Sequence, residues 1–169
     1  MGIRRLFERH YPAVVRFLYR RLGDRDQAEE LAQEAFTRLL DKRLRRPTAW
    51  LYTVAANLAR DAARGEAVRA RRLQVLAGEL ADAAEPSPEQ ELMREETSQR
   101  VRAALLSLSE RDRLLLLLRE EGLSYREIAD VIGISPTSVG PLLTRAQRRF
   151  VRLYHDATTE TRDAASASS

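Results

Sequence analysis

Apolar residues recur at helical spacing along most of this chain and predict helices without strands. The first apolar segment predicts a helix from about Ile3 to Leu22, which Gly23 ends and Pro12 would break or kink. A second stripe predicts a helix that begins at Asp26, where Asp26 and a later glutamate resemble a capping box. The apolar face of this second helix consists of Ala28, Leu31, Ala32, Ala35 and Leu39.

A third stripe predicts a long helix after a strongly basic loop. Pro47 blocks any helix from continuing across this loop, and Thr48 can cap the helix that follows. Trp50 falls at helical spacing from other apolar residues, so its ring is predicted to lie in the core rather than to stack on nucleic-acid bases. The inward positions of this helix are Trp50, Leu51, Val54, Leu58 and Ala62.

The second half of the chain predicts a four-helix unit after a linker. Residues from about 77 to 90 lack a sustained stripe and contain two prolines, which is typical of a linker. Val101, Leu105 and Leu108 then predict one helix, and Ser109 caps the next. Two short capped helices complete the unit.

Those last two helices, within residues 122–150, have the pattern of a helix-turn-helix. Ser124 and Glu127 form a capping box, Gly133 ends the first helix, and Ser135 with Pro136 starts the second. Two helices joined by so short a turn cross steeply, and the second can then reach base edges in a DNA groove. The arginines that follow favour DNA binding over a hairpin that only packs: Arg145, Arg148, Arg149 and Arg152.

Composition limits the classes of protein that fit. The 169 residues are 44% hydrophobic, which is enough to build one or two small cores. Cysteine is absent, no apolar signal segment occurs at the N-terminus, and no uncharged run approaches the roughly 20 residues that span a bilayer. We therefore expect a cytoplasmic protein that does not insert into a membrane.

Charge divides the chain in the same way as the apolar pattern. The net charge is +6 over residues 1–65 and +4 over 99–155, whereas residues 66–98 carry −4. Two basic blocks on an acidic connector are typical of two nucleic-acid-binding domains on a tether. The predicted fold is all-α, with two small helical domains joined by a flexible acidic linker. The expected parts are a first domain over 1–72, the linker over 73–98, a helix-turn-helix domain over 99–156 and a disordered tail over 157–169.

Three motifs in this order resemble bacterial RNA polymerase sigma factors of the sigma-70 family, in the extracytoplasmic-function group. They are DRDQAEELAQEAFTRLL, RPTAWLYTVAANLARD and LSERDRLLLLLREEGLSYREIADVIGIS. The resemblance covers almost the whole chain and implies no catalysis and no cofactor. It implies a first domain that binds core polymerase and opens and reads the −10 promoter element, and a second domain that binds the −35 element.

The predicted second helix carries a polar face opposite its apolar stripe. Its residues are spaced by three, one and three positions, which places them on one side of a helix. An acidic, amide-bearing face suits a basic protein partner, although an ordinary solvated face would have the same pattern. The resemblance implies that this face docks on the largest-subunit clamp of RNA polymerase, through Glu30, Gln33, Glu34 and Thr37.

The basic loop and the third helix are candidates for binding separated DNA. An amide, a carboxylate and guanidiniums on one helix face suit the capture of an extruded base, with arginines on the phosphates. The resemblance implies that Asn57 and Asp61 line a pocket for a flipped base and that the loop sets which base is accepted. The candidate −10 residues are Lys42, Arg43, Arg45, Arg46, Thr48, Asn57, Arg60, Asp61 and Arg64.

The recognition helix departs from the family pattern. Basic residues are common after the valine of this helix in the family, whereas here Val139 is followed by Gly140, Pro141, Leu142 and Leu143, so two expected basic positions are empty. Pro141 should also make the helix bend or restart. Readout of the −35 element is therefore expected to be less base-specific than usual, with Arg148 and Arg149 on phosphates. The candidate −35 residues are Ser124, Tyr125, Arg126, Ser135, Thr137, Ser138, Arg145, Arg148 and Arg149.

Other classes of function have less support in the sequence. His10 and His155 are far apart and have no nearby cysteine, so no metal site is expected. No phosphate-binding loop or nucleophile motif occurs, so no enzyme activity is expected. Two alternatives stay open: a stand-alone helix-turn-helix regulator and a module that sequesters another regulator. The partners that the resemblance implies are core RNA polymerase (its clamp and its flap), promoter DNA and an anti-sigma factor.

Overall fold

The computed structural model describes residues 3–40, 42, 44–70 and 88–166. These residues form seven α-helices and no strand, so the all-α prediction is confirmed. In chain order the helices are α1 (Ile3–Leu22), α2 (Arg25–Leu39), α3 (Pro47–Ala70), α4 (Pro88–Ser107), α5 (Glu110–Glu120), α6 (Tyr125–Ile132) and α7 (Pro136–Ser166).

The first helix has the predicted bounds, and Pro12 does not interrupt it. Gly23 follows in the left-handed conformation with φ 75°, and its N–H donates to the Tyr19 carbonyl at 2.7 Å. The predicted cap of α2 at Asp26 is wrong, because the cap is Asp24, whose Oδ1 accepts from the Gln27 N–H at 2.9 Å. The chain is extended at Asp24 directly after the turn, and an extended backbone is what a capping residue needs.

The third helix begins two residues earlier than the predicted cap at Thr48 implies. Pro47 is its first residue and the Trp50 N–H donates to the Arg46 carbonyl at 3.2 Å, so Arg46 rather than Thr48 holds the capping position. Proline is favourable there because its missing N–H is one that a first turn leaves unpaired anyway. The basic loop, which the pattern predicts to extend from Lys42 to Pro47, consequently ends one residue earlier, at Arg46.

The packing of the chain separates it into two compact units. Unit 1 comprises Met1–Gln74 and Leu117–Gly140, and unit 2 comprises Val75–Leu116 and Pro141–Ser169. In unit 1, α1, α2 and α3 pack on one another and α6 packs on α3. The core of unit 1 contains Val14, Phe17, Leu18, Ala32, Ala35, Leu51, Tyr52, Ala55 and Ile128, all fully or almost fully buried. The assignment of Leu117–Gly140 to the same unit as the first three helices does not follow from the sequence pattern.

Unit 2 is organised around the turn between α4 and α5. The Arg113 guanidinium donates to the carbonyls of Leu105, Leu106 and Leu108 at 2.8 to 3.2 Å, which satisfies groups that the end of α4 leaves unpaired. Ser109 caps α5 as predicted, because its hydroxyl accepts from the Asp112 N–H at 3.2 Å. The predicted linker, residues 73–98, lies partly outside the described residues. Its last eleven positions, 88–98, lie in α4.

The seventh helix is continuous through Pro141, so the predicted restart does not occur. A proline normally excludes the helical conformation of the preceding residue by contact with its Cβ, and Gly140 has no Cβ. The helix then runs to Ser166, ten residues into the segment for which the sequence predicts disorder. No glycine or proline follows Pro141 to stop it.

Candidate nucleic-acid and protein interfaces

The predicted polar face of α2 lies together on the surface of unit 1. Glu30, Gln33 and Thr37 are exposed and Glu34 is half-buried. The Thr37 hydroxyl donates to the Gln33 carbonyl at 2.8 Å, and Arg38 pairs with the Glu34 carboxylate at 2.5 Å. The face therefore offers two carboxylates and an amide, of which only Glu34 is neutralised by a neighbouring arginine of the same helix.

An apolar groove of about 620 Å³ adjoins this polar face and was not predicted. Gln33 and Thr37 line it together with Phe7, Phe36 and Leu40. Phe7 is 42% exposed and Leu40 is 60% exposed. The rings of Phe7 and Phe36 meet edge to face at 4.9 Å. Apolar area beside a polar rim is the usual composition of a protein interface.

The basic loop before α3 has exposed charges. Lys42 and Arg45 are exposed, whereas Arg43 lies outside the described residues. Arg46 forms an ion pair with Asp130 of α6, which is also in unit 1. Thr48 is half-buried in the first turn of α3. The loop thus holds exposed cations of two kinds: Lys42 and Arg45, and Arg46, which a carboxylate of the same unit already neutralises.

The polar face of α3 has the predicted arrangement along the helix. Asn57, Asp61 and Arg64 are exposed, and the Arg60 Nη1 donates to the Asn57 Oδ1 at 3.3 Å. The apolar pattern predicts that Trp50 lies in the core. It is instead half-buried beside the basic loop, where it lines a groove of about 380 Å³. The exposed Asn57 amide can donate to and accept from a base edge, and the Asp61 carboxylate, one helical turn away, can accept from one.

Tyr52, on the opposite side of α3, is completely buried against Phe17, with ring centroids 5.3 Å apart. Burial raises the pKa of its phenol, and the nearby Glu121 carboxylate raises it further. The Tyr52 hydroxyl has no hydrogen-bond partner among the described residues. This aromatic residue is therefore part of the core and cannot stack on DNA bases in this conformation.

The helix-turn-helix has the local geometry that its sequence predicts. The Ser124 hydroxyl accepts from the Glu127 N–H at 3.3 Å, and the Glu127 carboxylate accepts from the Ser124 N–H at 2.9 Å. Gly133 ends α6 in the left-handed conformation with φ 78°. Tyr125 is exposed with the Arg119 guanidinium 5.4 Å from its ring centroid, and Arg126 is exposed.

The candidate residues of α7 separate into exposed and engaged groups. Ser135 precedes the helix as predicted, and its hydroxyl lies 2.8 Å from the hydroxyl of Thr137. Ser138 is half-buried, whereas Arg145 and Arg148 are exposed. Arg149 differs, because its Nη1 pairs with the Asp112 Oδ2 at 2.5 Å within unit 2.

The described residues contain no group of three or more histidine, cysteine or acidic side chains placed to hold a metal ion. Within the same residues no helix is long and apolar enough to cross a membrane.

The helices and their exposed residues define an all-helical protein that carries a capped helix-turn-helix and a separate basic loop and polar helix face. Residues 6–69 match sigma-70 region 2, and residues 98–150 match sigma-70 region 4. The chain belongs to the sigma-70 family of RNA polymerase sigma factors, in its extracytoplasmic-function group.

Known relatives agree with this assignment. The chain is 31% identical over 153 residues to RNA polymerase sigma factor YlaC of Bacillus subtilis, covering 86% of this chain and 88% of that protein. It is 33% identical over 162 residues to ECF RNA polymerase sigma factor BldN of Streptomyces coelicolor; that match covers 90% of this chain but only 60% of BldN. The solved structure of the Bartonella quintana sigma factor RpoE with the anti-sigma factor NepR shares the fold, at TM-score 0.59 and 20% identity, covering 89% of this chain and 94% of that chain.

Proposed function

We propose that this protein is a dissociable initiation subunit that directs core RNA polymerase to particular promoters and opens them. The observation that carries the proposal is the order of two family regions on one chain, the first bearing the α2 and α3 faces and the second the helix-turn-helix. The protein would act by binding, without catalysis of its own. Because its partner polymerase works inside the cell, we propose the cytoplasm as its site of action.

The α2 face is the proposed docking surface for the polymerase clamp. Its exposed Glu30, Gln33 and Thr37 and the half-buried Glu34 supply carboxylates and an amide for a basic partner. The groove between Phe7, Phe36 and Leu40 adds apolar area next to these polar groups. Desolvated apolar contacts commonly provide most of the affinity of such an interface, and surrounding polar groups its orientation.

The basic loop and the α3 face are the proposed site for the −10 element. Lys42, Arg43, Arg45 and Arg46 would hold phosphates of the separated strand, with Thr48 at the start of the helix. Asn57 and Asp61 are spaced by one turn and exposed, which supports their proposed contact with an unstacked base. Arg60 already donates to Asn57 and would orient its amide, while Arg64 would meet the next phosphate.

The helix-turn-helix is the proposed site for the −35 element. Its candidate contacts differ in their freedom to meet DNA, because Arg145 and Arg148 are exposed whereas Arg149 is held by Asp112. We propose that the first two contact DNA and that Arg149 stabilises unit 2. The further proposed contacts are Ser124, Tyr125, Arg126, Ser135, Thr137 and Ser138. Val139 is followed by Gly140, Pro141, Leu142 and Leu143, none of which is basic, and this supports weak base specificity.

The polymerase-binding step is testable by co-elution with bacterial core RNA polymerase on a sizing column. Wild type should co-elute, and a Gln33→Ala/Glu34→Ala variant should not. Glu95→Ala/Gln99→Ala is the matched control, because it removes the same two residue types from exposed positions of α4, away from the proposed face, and it should co-elute. A wild type that binds duplex DNA but never co-elutes would instead identify a stand-alone regulator.

An anti-sigma factor is a further proposed partner. The fold supports this proposal, because it is shared with a sigma factor solved in complex with an anti-sigma factor. Pull-down of the tagged protein from its own cells, followed by identification of partners that compete with core polymerase, would test it. Partners that bind together with polymerase would contradict it.

A further inference from the structure

The part of α7 that belongs to unit 2 has one buried face and one exposed face. Leu143 and Ala146 are buried, so the residues opposite them are the ones that can enter a DNA groove. Successive residues of an α-helix are rotated by about 100°, which puts Pro141 almost directly opposite the buried pair. Pro141 is exposed, and Thr144 and Arg148 follow it by three and seven positions on the same exposed face. The first exposed side chains of this part of the helix therefore carry no charge.

Pro141 and Thr144 occupy the part of a recognition helix that reads bases. In a helix-turn-helix, the N-terminal residues of the second helix contact base edges in the major groove. Helix α7 begins at Pro136, so both residues lie within about its first three turns. Arg145 and Arg148 are also exposed and can hold phosphates. We therefore expect Pro141 and Thr144 to face base edges while the arginines position the helix.

The side chain of Pro141 has a single favourable contact among the base edges. Its ring carbons neither donate nor accept a hydrogen bond. In the major groove the C5 methyl of thymine is the apolar group that a base pair presents, whereas a G·C pair presents only donors and acceptors there. A proline ring against those polar groups removes water without replacing its hydrogen bonds, which is unfavourable. The ring therefore favours thymine and disfavours a G·C pair at the position that it faces.

Thr144 adds a methyl group beside this ring. A threonine methyl is one of the apolar groups that contact thymine in protein–DNA interfaces. Pro141 and Thr144 are three positions apart, which makes them neighbours on one helix face and separates them by about 4.5 Å along the helix axis. Neighbouring bases of a DNA strand are separated by a similar distance, about 3.4 Å. The two side chains can therefore meet the methyl groups of adjacent base pairs.

We propose that Pro141 and Thr144 set the base specificity of the −35 contact by packing on the C5 methyl groups of thymine. The inference rests on the proposed initiation function and names the base chemistry that the helix-turn-helix reads. The exposed arginines contribute affinity through phosphates, and the methyl contacts contribute discrimination between bases. Burial of one methyl-sized group corresponds to about fourfold in binding, so one or two contacts give a limited specificity.

Uracil in place of thymine tests the methyl groups alone, because the two bases differ only at C5. The protein is reconstituted with core polymerase on genomic DNA of the same organism, and sequenced transcript starts locate its promoters. One promoter is then synthesised with thymine throughout, with uracil in the −35 element, or with the same number of uracils between the two elements. Fluorescence anisotropy measures the Kd of the reconstituted complex for each duplex. We expect the −35 uracils to raise Kd about four- to sixteenfold and the other uracils to leave it unchanged.

Two variants attribute this effect to α7. Thr144→Ser removes the methyl and keeps the hydroxyl, and Pro141→Ser removes the ring. Each should bind the thymine promoter more weakly than wild type does and should reduce the thymine-to-uracil ratio of Kd values by about fourfold. Arg148→Ala is the control, because loss of a phosphate contact should weaken binding to both promoters equally and preserve the ratio.

The wild type separates the two possible failures. If wild type gives no transcript starts and does not bind polymerase, the proposed function fails and the thymine contact falls with it. If wild type initiates normally and the −35 uracils have no effect, the function stands and the methyl contact does not exist. Serine variants that both keep the full ratio, or a −35 element with no thymine on either strand, would overturn the inference in the same way.

Discussion

Replacing Arg149 by alanine should destabilise unit 2 rather than simply weaken DNA binding. Arg149 is 48% exposed, but its partner Asp112 has a side chain only 2% exposed. The Arg149→Ala variant would leave the Asp112 carboxylate buried with no cation beside it. Removal of one partner from a fully buried ion pair costs about 3–5 kcal/mol.

The half-exposure of Arg149 reduces that figure. Water can enter the space that its side chain leaves and solvate part of the Asp112 carboxylate, so we expect a loss of about 2 kcal/mol. For a unit of this size, 1 kcal/mol corresponds to about 4–8 °C, which predicts a Tm lower by about 8–16 °C. Arg148→Ala is the matched control. Arg148 is exposed on the same helix and has no ion pair among the described residues, so its loss should change Tm by less than about 2 °C.

Thermal unfolding followed by circular dichroism measures this difference. Fluorescence of the single tryptophan, Trp50, reports separately on unit 1 and should change little. A third variant, Asp112→Asn/Arg149→Ala, removes the buried charge and should be more stable than Arg149→Ala alone. If that double variant is no more stable, or if Arg148→Ala is equally destabilising, the buried-charge explanation is refuted.

Four further outcomes are expected. Ser124→Ala should cost about 1 kcal/mol by removing the cap of α6, measured by urea unfolding; no change would contradict its capping role. Burial is the main cause of the lowered pKa of His10, so the folded state disfavours the protonated imidazole. The free energy of unfolding should therefore fall as the pH drops through about 6.5 and below. His10→Gln should reduce this fall in urea titrations at several pH values. Asn57→Ala should slow promoter opening, followed by 2-aminopurine fluorescence in the −10 element, and leave co-elution with polymerase intact; unchanged opening would exclude the base contact. Gly140→Ala should lower Tm despite the better helix propensity of alanine, because Pro141 would meet the new Cβ; a higher Tm would contradict this.

The features that sequence predicted well are those whose determinants lie within a few residues. The Ser124–Glu127 capping box and the Gly133 terminus are of this kind, since each depends on groups three or four positions apart. The cap of α2 was misplaced by two residues because Asp24 and Asp26 are chemically identical, and only the end of α1 at Gly23 selects the first. Local sequence therefore predicts where the helices lie. It does not decide the exact first residue where two nearby residues can both act as the cap.

The continuity of α7 shows how a second local effect can cancel a first. Pro141 alone predicts a bend or restart, since it removes one backbone donor and clashes with its neighbours. Gly140 removes the part of that clash that comes from the Cβ of the preceding residue, at the cost of a weaker helix former. The continuity of α7 therefore depends on Gly140 and Pro141 together, whereas each residue considered alone predicts a weaker helix.

The partners of the arginines could not be predicted, because they are far away in the sequence. Arg149 pairs with Asp112 37 residues earlier, and Arg46 with Asp130 84 residues later. Counting basic residues along the chain therefore overestimates the surface that DNA can use. No ion pair involves Arg45 or Arg148 among the described residues, so these two are available to phosphates without any rearrangement. Arg46 becomes available only when its ion pair with Asp130 breaks, and Arg149 only when its ion pair with Asp112 breaks. An acidic residue placed beside an arginine thus decides whether that arginine stabilises its own unit or stays available to a phosphate.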